Sequence, residues 1–158
     1  MTFPFNFIII PAIIIFIAVR GGQYVQQGLG EWYGHLRKPN FTPSGGLIGA
    51  VWTFLYTITG LAVLWYWNVP VVGWFKYIVG AILIANAYYN LIWNKHFFAE
   101  HNIAKSLDTM KYLNITGWVA TVLMAIHSPI AAFLMFPYII WVGFATYLTQ
   151  EIEKLNHK

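Results

Sequence analysis

Cysteine is absent from this chain, and charge is scarce: 9 Lys+Arg and 5 Asp+Glu, or 9% of 158 positions. The first absence excludes disulfides, thiol nucleophiles and thiolate metal sites together. The second leaves too few ionised side chains to solvate a globular surface of this size. Also missing are a Ser-His-Asp set, a phosphate-binding glycine loop and a carboxylate dyad, and no chain of buried acids marks a proton path, so hydrolase and ion-pump readings are poor. His96 and His101 lack the i, i+4 spacing that would aim two imidazoles at one metal, while His35, His127 and His157 are isolated. No metal site and no required cofactor are expected. The formal net charge is +4, but the basic residues are scattered over loops and helix ends rather than gathered on a face, which argues against nucleic acid as a partner.

What is present is apolar: 59% hydrophobic and 19% aromatic residues. The expected class is an all-α membrane protein, a bundle of five transmembrane helices forming a single domain over 1–158, in contact with membrane lipid. The spans read approximately as 3–19, 45–67, 71–93, 107–126 and 130–148, each roughly 17 to 23 residues and long enough for a ~30 Å hydrocarbon core. The first has no basic n-region and carries Pro11 centrally, so it reads as a retained helix rather than a cleaved signal peptide. Arg20, Arg37, Lys38, Lys95, Lys105, Lys111, Lys154 and Lys158 then fall on one side and only Lys76 towards the other. By the positive-inside rule the C-terminus is expected in the cytoplasm and the N-terminus outside. Asn68–Val71 and His127–Pro129 are tight turns between antiparallel neighbours. Residues 21–44, with Gly21, Gly22, Gly28, Gly30, Pro39 and Pro43, read as a long loop of the kind that serves as a lid.

Within the third span and its rim Asn86, Asn90 and Asn94 recur every fourth residue, a polar stripe on one helical face with Tyr89, Trp93 and Phe97 beside it. An amide facing lipid would leave its hydrogen-bonding positions unmet at several kcal/mol in a hydrocarbon reference, so this face meets protein, water or ligand. Asn90 is the expected pocket-facing residue; Asn86 either touches ligand or ties helices together; Asn94, beside Lys95, reads as solvated. Trp65, Trp67 and Trp74 form an interfacial belt. Trp52 with Tyr56, and Trp141 with Ala145 and Leu148, form deeper stripes in which a large indole beside a small residue makes the wall and gap of a pocket. Ala81 and Ala85, opposite the Asn stripe, are a small-residue pair that would admit a homodimer. Asp108 and Lys111, three apart, are expected to pair.

Several local motifs occur in order along nearly the whole chain. They are Glu31-Trp32-Tyr33, Leu36-Arg37-Lys38-Pro39 with Thr42-Pro43, Val51-Trp52-Thr53-Phe54-Leu55-Tyr56, Asn90-Leu91-Ile92-Trp93 with Phe97-Phe98, and Pro137-Tyr138 with Trp141, Phe144-Ala145-Thr146 and Leu148. In this the sequence resembles the tryptophan-rich sensory protein family, also called translocator protein or peripheral-type benzodiazepine receptor. The resemblance implies a five-helix bundle in a membrane such as the bacterial cell membrane, acting as a receptor or sensor. Its ligands would be tetrapyrroles, protoporphyrin IX or haem, and other flat hydrophobic molecules. The implied ligand-binding residues are Trp32 and Pro43 in the lid, Trp52 and Tyr56, Asn86, Asn90 and Trp93, and Trp141, Ala145 and Leu148. Trp52 and Trp141 would be the catalytic pair if the protein instead degrades porphyrin in light and oxygen; a porphyrin or lipid transporter is the third reading. The chain departs from the family pattern at Phe41, where a Trp is usual, at Ser44 in place of a second Pro, and at Thr149 in place of an Asn. Val142, Tyr147 and Lys154 miss the spacing of a cholesterol-recognition pattern.

Overall fold

The computed structural model describes residues 5–157, and helices account for all of the regular structure there. In chain order they are α1 (Asn6–Gly28), α2 (Glu31–His35), α3 (Gly45–Asn68), α4 (Gly73–Asn94), α5 (Ile103–His127) and α6 (Pro129–Asn156); α4 runs directly into a π-helical stretch, Lys95–Ala99. By length and composition α1, α3, α4 with its π extension, and α6 can each cross a membrane. The other long helix, α5, has 25 residues, but Ser106, Thr109, Asn114, Thr116 and Thr121 dilute its apolar character.

The five long helices close a ring in the order α1, α3, α6, α5, α4, with α4 returning to α1. The ring is polar inside and apolar outside, as a lipid solvent requires. Phe7, Ile8, Ile15 and Phe16 of α1, Ile115, Val122 and Ile126 of α5, and Phe133 and Ile140 of α6 are exposed. Asn86, Asn90, Asn94, Ser106, Thr109, Thr121 and Thr149 are buried. Seven helical threonines, from Thr53 to Thr149, donate their hydroxyls to the carbonyl four residues back, which satisfies the side chain within its own helix.

Chain ends of the helices are capped where the sequence offers a hydroxyl or amide. Ser44 Oγ accepts from Leu47 N at the start of α3, Asn102 Oδ1 from Lys105 N at α5, and Ser128 Oγ from Ala131 N at α6, with Pro129 in the first turn. At the far end of α3, Lys76 Nζ donates to the carbonyls of Trp67 and Val69 at 2.8 and 3.1 Å. Its ammonium is thereby spent on the free carbonyls of a helix C-terminus.

The expected loop 21–44 is shorter than its composition suggests. Helix α1 continues through Gly21-Gly22 to Gly28, and α2 occupies 31–35. Glycine lowers helix propensity by about 1 kcal/mol per residue, but here its lack of a side chain permits close packing that outweighs that cost. A Cβ on Gly28 would lie 2.2 Å from Phe98 O, so α1 sits directly against the backbone of the π stretch. The last helix is longer than expected, reaching Asn156 past the apolar edge at 148, because Ile152 is buried and Asn156 is tied to the lid. Phe3, where the first span was placed to begin, and Lys158 lie outside the described residues.

Gly28→Ala meets backbone rather than a movable side chain. It is expected to lower the melting temperature of the detergent-solubilised protein and to cost on the order of 1–3 kcal/mol of stability, as overpacking does; an unchanged melting curve would contradict the close approach.

Candidate functional site

The centre of the bundle is a hydrogen-bonded belt across four helices. Tyr56 Oη of α3 donates to Asn90 Oδ1 of α4 at 2.9 Å. Asn90 Nδ2 reaches Tyr138 Oη of α6 at 3.4 Å, and Tyr138 Oη donates to Asn86 Oδ1 at 2.7 Å. Asn86 Nδ2 then donates to Leu113 O and Thr116 Oγ1 of α5, at 2.9 and 3.0 Å. Both amide hydrogens and the carbonyl of Asn86 are used. Asn94, which the sequence suggests is solvated, is instead buried and donates to Asn90 O at 2.8 Å. Its position at the chain's polar edge is misleading because the π stretch follows it and folds His96, Phe97 and Phe98 over the site.

On one side of the belt lie the aromatics. The Trp52 ring is 5.5 Å from Tyr56, 6.0 Å from Trp93 and 6.5 Å from Tyr138. Trp93 continues to Phe97 and Phe98, both at 6.4 Å. Trp141 packs on Phe144 at 5.2 Å, and Ala145 and Leu148 lie along the same helix, Leu148 buried. The indole nitrogens of Trp93 and Trp141 are buried without a hydrogen-bond partner. An N–H left so in a dry interior costs about 1–3 kcal/mol, which is recovered if an acceptor arrives.

A lid covers this aromatic end. Trp32 of α2 stacks on His101 at 4.7 Å and 13° and meets Phe97 edge-on at 5.0 Å, while Tyr33 packs on Phe98. His101 holds a left-handed backbone, φ 53°, the turn that carries the π stretch into α5. The lid's other margin is fixed to α6: Asn156 Nδ2 donates to Arg37 O at 2.8 Å and its Oδ1 accepts from Arg37 N at 3.0 Å. Phe41, where a Trp is usual, stacks on Tyr147 at 5.5 Å and 11°, so an aromatic contact is retained there. Lys38 Nζ lies 4.6 Å over the Tyr33 ring and donates to Tyr33 O and Leu36 O; Pro43 is half-buried in the chain's approach to α3. Glu100, just beyond the π stretch, is gripped by Lys105 at 3.0 Å, His96 at 2.8 Å and Lys95 at 3.3 Å. Hydrogen bonds from Lys105 and then His96 pull its carboxyl down to about 2.

On the other side of the belt is a cavity of about 410 Å³ bounded by α1, α3 and α4. Tyr56, Asn86, Asn90 and Tyr138 form its floor.

The family model described as TspO/MBR matches residues 7–155. The chain belongs to the TspO/MBR family. It is 29% identical over 153 residues to the tryptophan-rich protein TspO of Bacillus cereus, covering 92% of this chain and 96% of the relative. To the translocator protein of Homo sapiens it is 28% identical over 156 residues, 96% of this chain and 89% of the relative. An uncharacterized membrane protein, YtaB, of Bacillus subtilis is 33% identical over 132 residues, 80% of this chain and 81% of that one.

In this TspO/MBR chain the residues named from sequence divide into groups. Trp52, Tyr56, Asn86, Asn90 and Trp93 come together around the belt, and Trp32 reaches them through Phe97. Among the described residues no ring contact joins Trp141 to Trp52 or Trp93; its indole faces Phe144. Tyr138 is the residue that sequence reasoning passed over. It sits three before Trp141 on the same helical face, and that spacing was the available signal. Asn114, which donates to Thr146 Oγ1 at 2.9 Å and ties α5 to α6, was likewise unmarked. Asp108 and Lys111 do pair, at 2.7 Å.

Tyr138→Phe removes the hydroxyl that serves two amides at once. It is expected to destabilise the bundle by about 1–3 kcal/mol in reversible unfolding, and its effect should be far from additive with Asn86→Ala because the two share a bond; simple additivity would show that the belt is not coupled. The Glu100 carboxyl, lowered on folding, contributes stability that is present above about pH 4.5 and lost as pH falls towards 2. Glu100→Gln should therefore flatten the acid side of the melting-temperature profile between those values, and an unaltered profile would count against the grip.

Proposed function

We propose that this protein is a receptor or sensor that binds tetrapyrroles, protoporphyrin IX or haem, and similar flat hydrophobic molecules between its helices beneath the lid. The observation that carries the reading is the pair of buried indole N–H groups, Trp93 Nε1 and Trp141 Nε1, which lack partners on facing members of an aromatic-lined bundle. Two donors without acceptors suit a ligand with a large π-face and acceptor groups at its edge. The lid's contacts through Trp32, Phe41 and Arg37 are aromatic or polar, which suits a cover over a flat aromatic ligand. The names of the relatives, tryptophan-rich protein and translocator protein, agree with a membrane role but specify no ligand.

In the proposed membrane topology all five long helices span. α5 presents Ile115, Val122 and Ile126 to lipid and turns its hydroxyls and amides towards α4 and α6. Arg37, Lys38, Lys95 and Lys105 gather at the lid end, which by the positive-inside rule supports a cytoplasmic lid and C-terminus and an outer N-terminus. Exposed Ala81 and half-buried Ala85 leave a smooth strip on α4 where a second copy of the chain would fit.

Binding is tested by titrating protoporphyrin IX into the purified protein and following tryptophan fluorescence. Quenching at micromolar ligand is expected, with Trp93→Phe and Trp141→Phe each weakening affinity about tenfold, the equivalent of one hydrogen bond to a buried donor. Absence of quenching would overturn the reading.

A further inference from the structure

The cavity on the far side of the belt from the lid is a separate chamber with its own chemistry. Helix α1 is tight against its neighbours at the lid end, where Gly28 meets the Phe98 backbone and Gly21 approaches Asn94 and Tyr56. Along its first half the Ile14 side chain lies against Gly60 of α3, and a wedge opens between α1 and the α3–α4 pair. The wall on the α1 side is a run of isoleucines from Ile9 to Ile17. Its rim includes exposed Ile13 on α1 and exposed Ile84 on α4, so the mouth faces the lipid flank rather than water. A volume of about 410 Å³ lies in the range of small-molecule pockets and is well above the ~150 Å³ that an apolar protein cavity has been seen to keep dry.

Two polar atoms in this otherwise apolar wall have no partner. Thr59 Oγ1 on α3 is buried and unbonded, and it is the exception among the described helical threonines, the other seven of which bond to the carbonyl four residues back. Asn6 Nδ2, at the first turn of α1, is likewise buried and unpartnered. Contact between Ile14 and Gly60 puts Thr59 near the level of Ile14, two turns below Asn6. At 1.5 Å per residue the two donors are roughly 12 Å apart along the bundle axis. That is about nine or ten carbons of an extended chain at roughly 1.25 Å per carbon, from carbon–carbon bonds near 1.5 Å.

We infer that this chamber binds a single-chain fatty acyl lipid taken laterally from the membrane. Its carboxyl or ester carbonyl accepts from Asn6 Nδ2 near the surface, and an oxygen carried at mid-chain, a hydroxyl or oxo group, accepts from Thr59 Oγ1. The isoleucine wall takes the methylenes between them, and the Tyr56–Asn90–Tyr138–Asn86 belt closes the bottom. The inference does not depend on tetrapyrrole binding, since only the belt is shared between the two sides.

The test compares 10-hydroxystearate with stearate by calorimetric titration of the purified full-length protein in one detergent, so that micelle partitioning cancels between variants. The hydroxylated acid is expected to bind about three- to tenfold more tightly. Thr59→Val, which keeps the shape and removes the hydroxyl, should erase that preference and leave stearate unaffected. Asn6→Ala should weaken both acids alike, and Ala87→Phe, which fills the chamber, should abolish both. Trp141→Phe, on the other side of the belt, should alter neither. Equal affinity for the two acids, or a preference that survives Thr59→Val, overturns the assignment of the mid-chain oxygen; binding that survives Ala87→Phe overturns the chamber as the site.

Discussion

The cost of an unmet amide in hydrocarbon is the constraint on which the rest of this structure depends. Asn86 and Asn90 stand near the middle of a helix long enough to cross a bilayer, where water is not available to satisfy them. Their solution is the belt with Tyr56, Tyr138, Leu113 and Thr116, which spends polar groups from four helices on one another at a single level. Lipid supplies little hydrophobic drive between helices, and interhelical hydrogen bonds in bilayers are individually modest, ~0.6 kcal/mol on average. Their role here is therefore as much register as strength. With Asn86 and Asn90 one turn apart and both meeting Tyr138, a shift of α6 by one turn would cost Asn86 Oδ1 or Asn90 Nδ2 its partner.

The belt also divides the interior. Towards the lid the space between helices is occupied by indole and phenyl rings, closed over by α2 and the π stretch. Towards the opposite end it is occupied by aliphatic side chains and a cavity. The π stretch contributes to the asymmetry: its wider turn brings His96, Phe97 and Phe98 inward together and gives Trp32 and Tyr33 something to rest on. Close approach of α1 at Gly28 closes the bundle at that end, and the same helix, carrying isoleucines instead of glycines over its first half, stands off at the other.

Much of this was legible residue by residue. The apolar runs located each of the long helices, although α1 and α6 continue well past the apolar edges at 19 and 148, and the four-residue recurrence of asparagine marked the face of α4 that turns inward. Less legible was anything that depends on a neighbour. The glycines at 21, 22 and 28 read as loop because intrinsic propensity is a local quantity, whereas their helix is held by what packs on Gly21 and Gly28. Asn94 read as solvated because the residue after it is a lysine, and only the path of the π stretch buries it. Tyr138 gave a correct helical spacing with Trp141, but nothing in its own helix shows that its hydroxyl serves two amides on another.

By itself the sequence determined the helical membrane class and the polar stripe, since each follows from composition or from a period along one chain. It also carried motifs enough to identify the family. What the tertiary structure decided is which polar atoms are paired and which are not: the indoles of Trp93 and Trp141 on one side, Thr59 and Asn6 on the other. A hydrogen-bond deficit is a property of surroundings rather than of a residue type: the indole N–H groups of Trp93 and Trp141 go unmet because the assembled helices bury them away from acceptors.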